Sequence, residues 1–151
     1  MARLLVVHHT VSPATEELLS AALRGARDPL ITDVEVVVRP ALVASAVEAL
    51  EADGYLLASP VNIGYISGAL KHFFDNVYYP CLLATSGRPY GLWLHAGGDA
   101  TGALRAVEAI TAGLGWRQAQ APVVVAGAPT RSDREAVTDM AAAVAAALMP
   151  D

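Results

Sequence analysis

Ser59 to Asp75, SPVNIGYISGALKHFFD, lies between an apolar run and a helix-forming run, and its reading decides the fold. Just upstream, Asp53 to Ser59 (DGYLLAS) is a short apolar stretch brought to an end by Pro60, the pattern of a buried strand. Downstream, Ser67 to Leu83 has the spacing of a long amphipathic helix containing Lys71, Phe73, Phe74 and Asp75, which Tyr78-Tyr79-Pro80 either bends or ends. Between them Ser59 to Gly68 is a loop with a Pro, two Gly and a candidate capping Ser. The unit is strand, loop, helix.

The same order of elements recurs on both sides, without any repeat of the sequence itself. Arg3 to His8 (RLLVVH) is an apolar run that stops abruptly at polar residues, which predicts a buried strand. Ser12 then has the features of a helix N-cap, with Pro13 at the first helical position, where a missing N–H costs nothing, and Thr15 and Glu16 in the first turn. A helix is predicted from Pro13 to Ala26. Asp33 to Arg39 (DVEVVVR), rich in β-branched residues and closed by Pro40, predicts the second strand, and Val43 to Glu51 the next helix. Arg88 to Ala96 (RPYGLWLHA) is the fourth strand, set between Ser86-Gly87 and Gly97-Gly98-Asp99. Thr101 to Leu114 follows as a helix, then Pro122 to Ala126 as a strand and the alanine-rich Arg131 to Leu148 as a helix. Strand and helix alternate five times, so the fold class is α/β with a parallel, doubly wound sheet.

Three polar, Gly-containing loops each follow a predicted strand: His9 to Glu16, Ser59 to Gly68, and His95 to Gly102. In an open α/β sheet such loops face one crevice at the carboxyl ends of the strands, where the strand order switches direction and ligands bind. A ligand site is therefore expected before any side-chain chemistry is weighed.

Composition narrows the ligand. A chain of 151 residues, 54% hydrophobic and 17% charged, has the size of one domain and is too apolar to be disordered. The net charge of −5 argues against a nucleic-acid binder, which would cluster Lys and Arg. No stretch reads as a membrane span or signal peptide, so a soluble, cytoplasmic protein is expected. Cys81 is the only cysteine, which excludes an internal disulfide and favours a buried structural thiol.

Thr10-Val11-Ser12-Pro13-Ala14-Thr15 spreads three hydroxyls over a strand-to-helix turn. Free N–H groups and the positive end of the helix dipole attract an anion there, and with no Lys or Arg in the loop the ligand would be a monophosphate rather than a triphosphate. The competing reading is that Ser12 and Thr15 simply cap the helix. In the second loop a flat heteroaromatic ring would lie against Asn62 and backbone amides, with an apolar or aromatic side chain on its face. The alternative is a tight turn in which Gly64 and Gly68 serve backbone geometry alone.

With those residues in view, Ser59 to Asp75 resembles the flavodoxin-like NAD(P)H-dependent FMN reductases and their quinone reductase relatives. The shared pattern is Pro, a variable triplet, Gly, then Ser/Pro-Gly, Leu-Lys and Phe-Asp. The resemblance implies a three-layer sandwich over residues 1–151 around a five-stranded parallel sheet of order 2-1-3-4-5. It also implies that Thr10, Ser12, Pro13, Ala14 and Thr15 hold the FMN phosphate. Pro60, Val61, Asn62, Ile63 and Gly64 would contact the isoalloxazine, and Gly97, Gly98, Asp99 and Thr101 would line its other side. Two residues depart from the family pattern: Pro13 stands where Gly is common, removing one amide donor, and Asn62 stands where an aromatic residue is frequent. Tyr65 is the residue placed to restore an aromatic face, whereas Trp93 reads as strand core.

Of the histidines, adjacent His8 and His9 point to opposite faces of a strand and cannot chelate one ion, so no metal is expected. His9 and His95 are expected at neighbouring strand ends, either hydrogen-bonding the cofactor or merely packed. Lys71 and Asp75 read as a helix-surface ion pair. No Ser-His-Asp, paired-carboxylate or HExxH pattern is present, which agrees with chemistry carried by a flavin. The expected activity is hydride transfer from NAD(P)H to a small acceptor, quinone-like or free flavin, by a homodimer or homotetramer. A flavodoxin-type electron carrier and a binding module that has lost its flavin are the alternatives.

Overall fold

The computed structural model describes residues 1–151. Its elements are β1 (Ala2–His8), α1 (Pro13–Ala26), β2 (Val34–Pro40), α2 (Ala46–Glu51), β3 (Gly54–Asn62), β4 (Tyr65–Ile66), α3 (Gly68–Cys81), β5 (Pro89–Ala96), α4 (Thr101–Leu114), β6 (Arg117–Gln118), β7 (Val123–Ala126) and α5 (Arg131–Ala146). The parallel strands run β2-β1-β3-β5, and the last position is shared by β6 and β7, which pair with successive halves of β5. Counted as one interrupted strand, β6 and β7 complete the order 2-1-3-4-5 that the resemblance implies. The interruption falls at Pro122, which has no N–H to give to a ladder.

Alternating side chains divide the core into two layers. Leu4 and Val6 of β1, Leu56 and Ala58 of β3 and Trp93 of β5 meet Leu18, Ala21 and Ala22 of α1 and Val137, Met140 and Val144 of α5. Leu5, Val7, Tyr55, Leu57, Leu92 and Leu94 face the other way, onto Phe73, Phe74 and Val77 of α3 and Ala103 and Val107 of α4. Helices thus cover both faces, giving the three-layer α/β sandwich.

Local chemistry moves several element ends from their predicted places. α2 begins at Ala46 because Ser45 Oγ accepts the Glu48 N–H (3.1 Å) while the Glu48 carboxylate accepts the Ser45 N–H (3.0 Å), a reciprocal cap. β3 does not stop at Pro60. It continues to Asn62, because Pro60 lies near the strand's end, where its missing N–H interrupts little of the ladder. Pro80 ends rather than bends its helix: α3 closes at Cys81, one residue later.

The amino-terminal end of the sheet is plugged by packing. The Arg88 guanidinium donates to the carbonyls of Leu50 (2.7 Å) and Ala52 (2.6 Å), satisfying the C-terminus of α2, and Tyr55 stacks on Trp116 with ring centroids 3.8 Å apart. Cys81 is buried in the same layer, where burial pushes its thiol up and away from the reactive thiolate. The carboxyl end is left for the loops.

Candidate crevice at the carboxyl ends of the strands

The first loop is tied to β3 by the His9 N–H, which donates to the Ala58 carbonyl (3.2 Å). Ser12 caps α1: its Oγ accepts the Thr15 N–H at 3.2 Å. Thr15 Oγ1 in turn collects the N–H groups of Val11 (3.0 Å) and Ser12 (2.9 Å), so two amides converge on one oxygen. The capping geometry is thus present in full, with Pro13 in the first turn. Thr10 Oγ1 pairs with His8 Nδ1 at 2.8 Å. The N–H groups of Thr10 and Ala14 form no hydrogen bond with the rest of the chain.

The second loop is a β-hairpin, where the sequence alone predicts a ligand-binding loop or a tight turn. β3 and β4 pair through Val61 with Ile66 and Asn62 with Tyr65, joined by Ile63 (φ 53°) and Gly64 (φ 71°). Positive φ at both central residues is the type I′ geometry, favoured by glycine and strained for β-branched Ile63. An Ile-Gly pair flanked by alternating apolar residues was the available signal; Pro60 masked it. The hairpin base is pinned by buried Ser59, whose Oγ accepts the Ser67 N–H (2.9 Å) and donates to the Pro60 carbonyl (2.6 Å). At the tip Asn62, Gly64, Tyr65 and the wholly exposed Ile63 face solvent, while Pro60 is buried and Val61 half-buried.

In the third loop Asp99 Oδ1 accepts from the Thr101 hydroxyl (2.6 Å) and N–H (3.0 Å), bonds that hold its carboxyl below the usual range. Gly97 and Gly98 are exposed, with open space where a Cβ would stand. The start of α4 meets the hairpin tip: a Cβ on Gly102 would lie 2.3 Å from the Gly64 carbonyl oxygen.

These loops converge. His9, Thr10, Thr15, Ala58, Ser59, Trp93 and His95 line one cleft, too narrow at its floor for a water-sized sphere. His9 and His95 are not on neighbouring strands, as expected from the sequence, because β3 runs between β1 and β5; both still reach the cleft from either side of β3. His95 is committed elsewhere, with Nε2 2.7 Å from the Gly127 carbonyl oxygen. His9 Nδ1 is buried and has no partner. Of the residues expected to hold the cofactor, Thr10, Thr15 and His95 line this floor, whereas Ser12, Pro13, Ala14, residues 60–64, Gly97, Gly98, Asp99 and Thr101 do not. The sequence leaves His9 open between cofactor contact and packing and does not single out Ser59, because their place on the floor depends on neighbours from other strands. No group of three or more His, Cys, Asp or Glu residues is placed to hold a metal ion, and no helix is long and apolar enough to cross a membrane.

His8 gives the crevice a pH signature. Burial, then the charge of neighbouring His9, lowers its pKa from the ordinary 6.5. The unfolded chain therefore binds more protons, and this contribution to stability is complete above pH 6.5 and lost as pH falls below it. Chemical denaturation at roughly pH 7.5 and 5.5 should show a lower midpoint in acid, and His8→Asn should reduce the difference. An unchanged difference in the variant would place the effect elsewhere.

A family model described as NADPH-dependent FMN reductase matches residues 22–136. A flavodoxin of Aquifex aeolicus (strain VF5) is 32% identical over 77 residues, 51% of this chain but only 40% of that protein. Among solved structures, a WrbA-like flavodoxin from Agrobacterium tumefaciens aligns over 96% of both chains (TM-score 0.77, 16% identity). A flavodoxin from the domain Archaea aligns over 97% of this chain and 98% of its own (TM-score 0.81, 17% identity). Rubredoxin:oxygen oxidoreductase from Desulfovibrio gigas matches 97% of this chain with 36% of its length (TM-score 0.82, 17% identity). At these identities the structural matches establish the flavodoxin-like fold alone.

Proposed function

The chain belongs to the NADPH-dependent FMN reductase family, and from that premise we propose that residues 1–151 form one FMN-binding domain that passes hydride from NAD(P)H to a small acceptor, quinone-like or free flavin. The observation that carries this reading is the convergence of three uncharged-donor loops on one cleft at the carboxyl ends of β1, β3 and β5. A bound cofactor would carry the chemistry, and the chain would bind and orient it.

The residues present fit that cofactor. At the start of α1, unbonded amides of Thr10 and Ala14 and the amide pair now meeting at Thr15 Oγ1 form a donor set for a phosphate, with the hydroxyls of Thr10, Ser12 and Thr15 beside them. Pro13 contributes shape but no donor. Pro60, Val61, Asn62, Ile63 and Gly64 would meet the isoalloxazine edge and face, and His95, Gly97, Gly98, Asp99 and Thr101 would line its far side. Exposed Ile63 and Tyr65 would supply apolar cover on that side. When bound, FMN accepts hydride and stores electrons; the chain's part is to hold and orient it. The protein would work in the cytoplasm as a homodimer or homotetramer.

The test is a visible absorbance spectrum of the purified protein with FMN added. Flavin bands that bleach on adding NAD(P)H are the expected result; protein that shows no saturable FMN uptake would instead be a module without the cofactor. The similarity to the Aquifex flavodoxin favours a second reading, an electron carrier. A carrier would bind FMN yet leave NAD(P)H unoxidised until a partner reductase is supplied.

A further inference from the structure

α3 carries two apolar stripes, and the sheet uses only one of them. Leu70, Phe73 and Val77 are wholly buried in the layer beneath the helix. The second stripe, Phe74, Tyr78 and Tyr79, turns toward α4, where with Ile110 it lines a groove of about 210 Å3 rimmed by Lys71 and Asp75. A helix that merely covers a sheet needs the first stripe alone. Tyr79 is 79% exposed, and Leu83, just beyond the helix, is 86% exposed. Apolar surface of this kind with a charged rim marks a contact with another macromolecule.

The order of residues along α3 selects the partner. Gly68, Lys71, Asp75 and Tyr79 follow one another at intervals of three or four, so they lie along one line of the helix: small, positive, negative, large. Read in reverse, that order is its own complement. If a second α3 runs antiparallel over the first about a two-fold axis at the level of Phe73, Lys71 meets Asp75 of the partner subunit and Asp75 meets the partner's Lys71. Tyr79 then reaches the partner's Gly68. Gly68 is exposed, with open space where a Cβ would stand, which leaves room for the ring. Lys71 and Asp75 already pair with each other, but an exposed pair is worth little, and across the axis each gains a second opposite charge. A surface that complements itself in both charge and size fits a two-fold contact between identical chains.

We propose that this face of α3 and α4 is the interface between two copies of the chain, closed by antiparallel packing of α3 on α3. The inference rests on the oligomer proposed above and is independent of the flavin.

Sedimentation equilibrium over a series of protein concentrations tests it. Wild type should be a dimer. Lys71→Glu sets carboxylates against each other at both ends of the contact, and Asp75→Lys sets ammonium groups there, so each variant alone should self-associate about tenfold more weakly or worse. Mixed in equal amounts, the two variants should pair with each other as wild type does, because each supplies the charges that the other lacks. Circular dichroism and thermal denaturation of each variant keep folding separate from association. A wild-type dimer whose folded variants associate unchanged, or fail to recombine when mixed, would place the interface elsewhere and overturn the proposal while sparing the oligomer. Wild type that stays monomeric at every concentration would overturn both, and FMN titration of the same samples reads the flavin site separately.

Discussion

Gly25→Ala is expected to destabilise the protein by about 3 kcal/mol or more, at the upper end of what overpacking a core does. A Cβ on Gly25 would stand 2.0 Å from the Thr138 carbonyl oxygen, 2.9 Å from its carbon and 3.1 Å from the Ala142 nitrogen. All three are backbone atoms of α5, so no side-chain rotation relieves the clash. α5 is also held where it is: the Thr138 hydroxyl donates to the Ala21 carbonyl at 2.8 Å, and Arg134 pairs with Glu17 at 2.9 Å. Relief requires α1 and α5 to part, opening the layer of Leu18, Ala21, Val137, Ala141 and Val144. Alanine's better helix propensity returns about 1 kcal/mol, too little to change the sign. The denaturant midpoint with its slope checks this. A shift of under about 1 kcal/mol would mean that the helices separate at little cost, contrary to the packing of this layer.

Gly102→Ala should act on the site instead. Its Cβ would meet the Gly64 carbonyl oxygen at 2.3 Å, where real contacts are not found below 3.0 Å, so the hairpin tip must withdraw by the difference. The tip can do so. It is exposed, and only the pairs Val61–Ile66 and Asn62–Tyr65 hold it. Stability should therefore change by less than about 1 kcal/mol, whereas FMN affinity should fall by about tenfold or more, because binding groups tolerate displacements of only about half an ångström. Parallel denaturation and FMN titration separate the two effects. Unchanged affinity with unchanged stability would show that the hairpin tip does not touch the ligand.

Much of this architecture was legible in the residues. Apolar runs such as Arg3 to His8, closed by polar residues or proline, mark β1, β2, β5 and β7 to within one residue, and Thr101 to Leu114 matches α4 at both ends. Ser12 before Pro13 announced the start of α1 through chemistry that acts within one turn. The hairpin was not legible: Pro60 usually ends a strand, and here the sheet continues through it because the missing N–H falls near the strand's end. The reach of His9 and His95 to a common floor was expected for the wrong reason, since β3 separates their strands.

Sequence alone determined the alternation of strand and helix, the loops that crowd the carboxyl ends and the hydroxyls at the first of them, because periodicity, capping and turn chemistry are settled within a few neighbouring residues. Only the tertiary structure decided that Gly102 abuts Gly64, that Arg88 closes the C-terminus of α2, and that His9 Nδ1 is buried without a partner. Those facts depend on strand order and register, which bring together atoms that no local pattern connects.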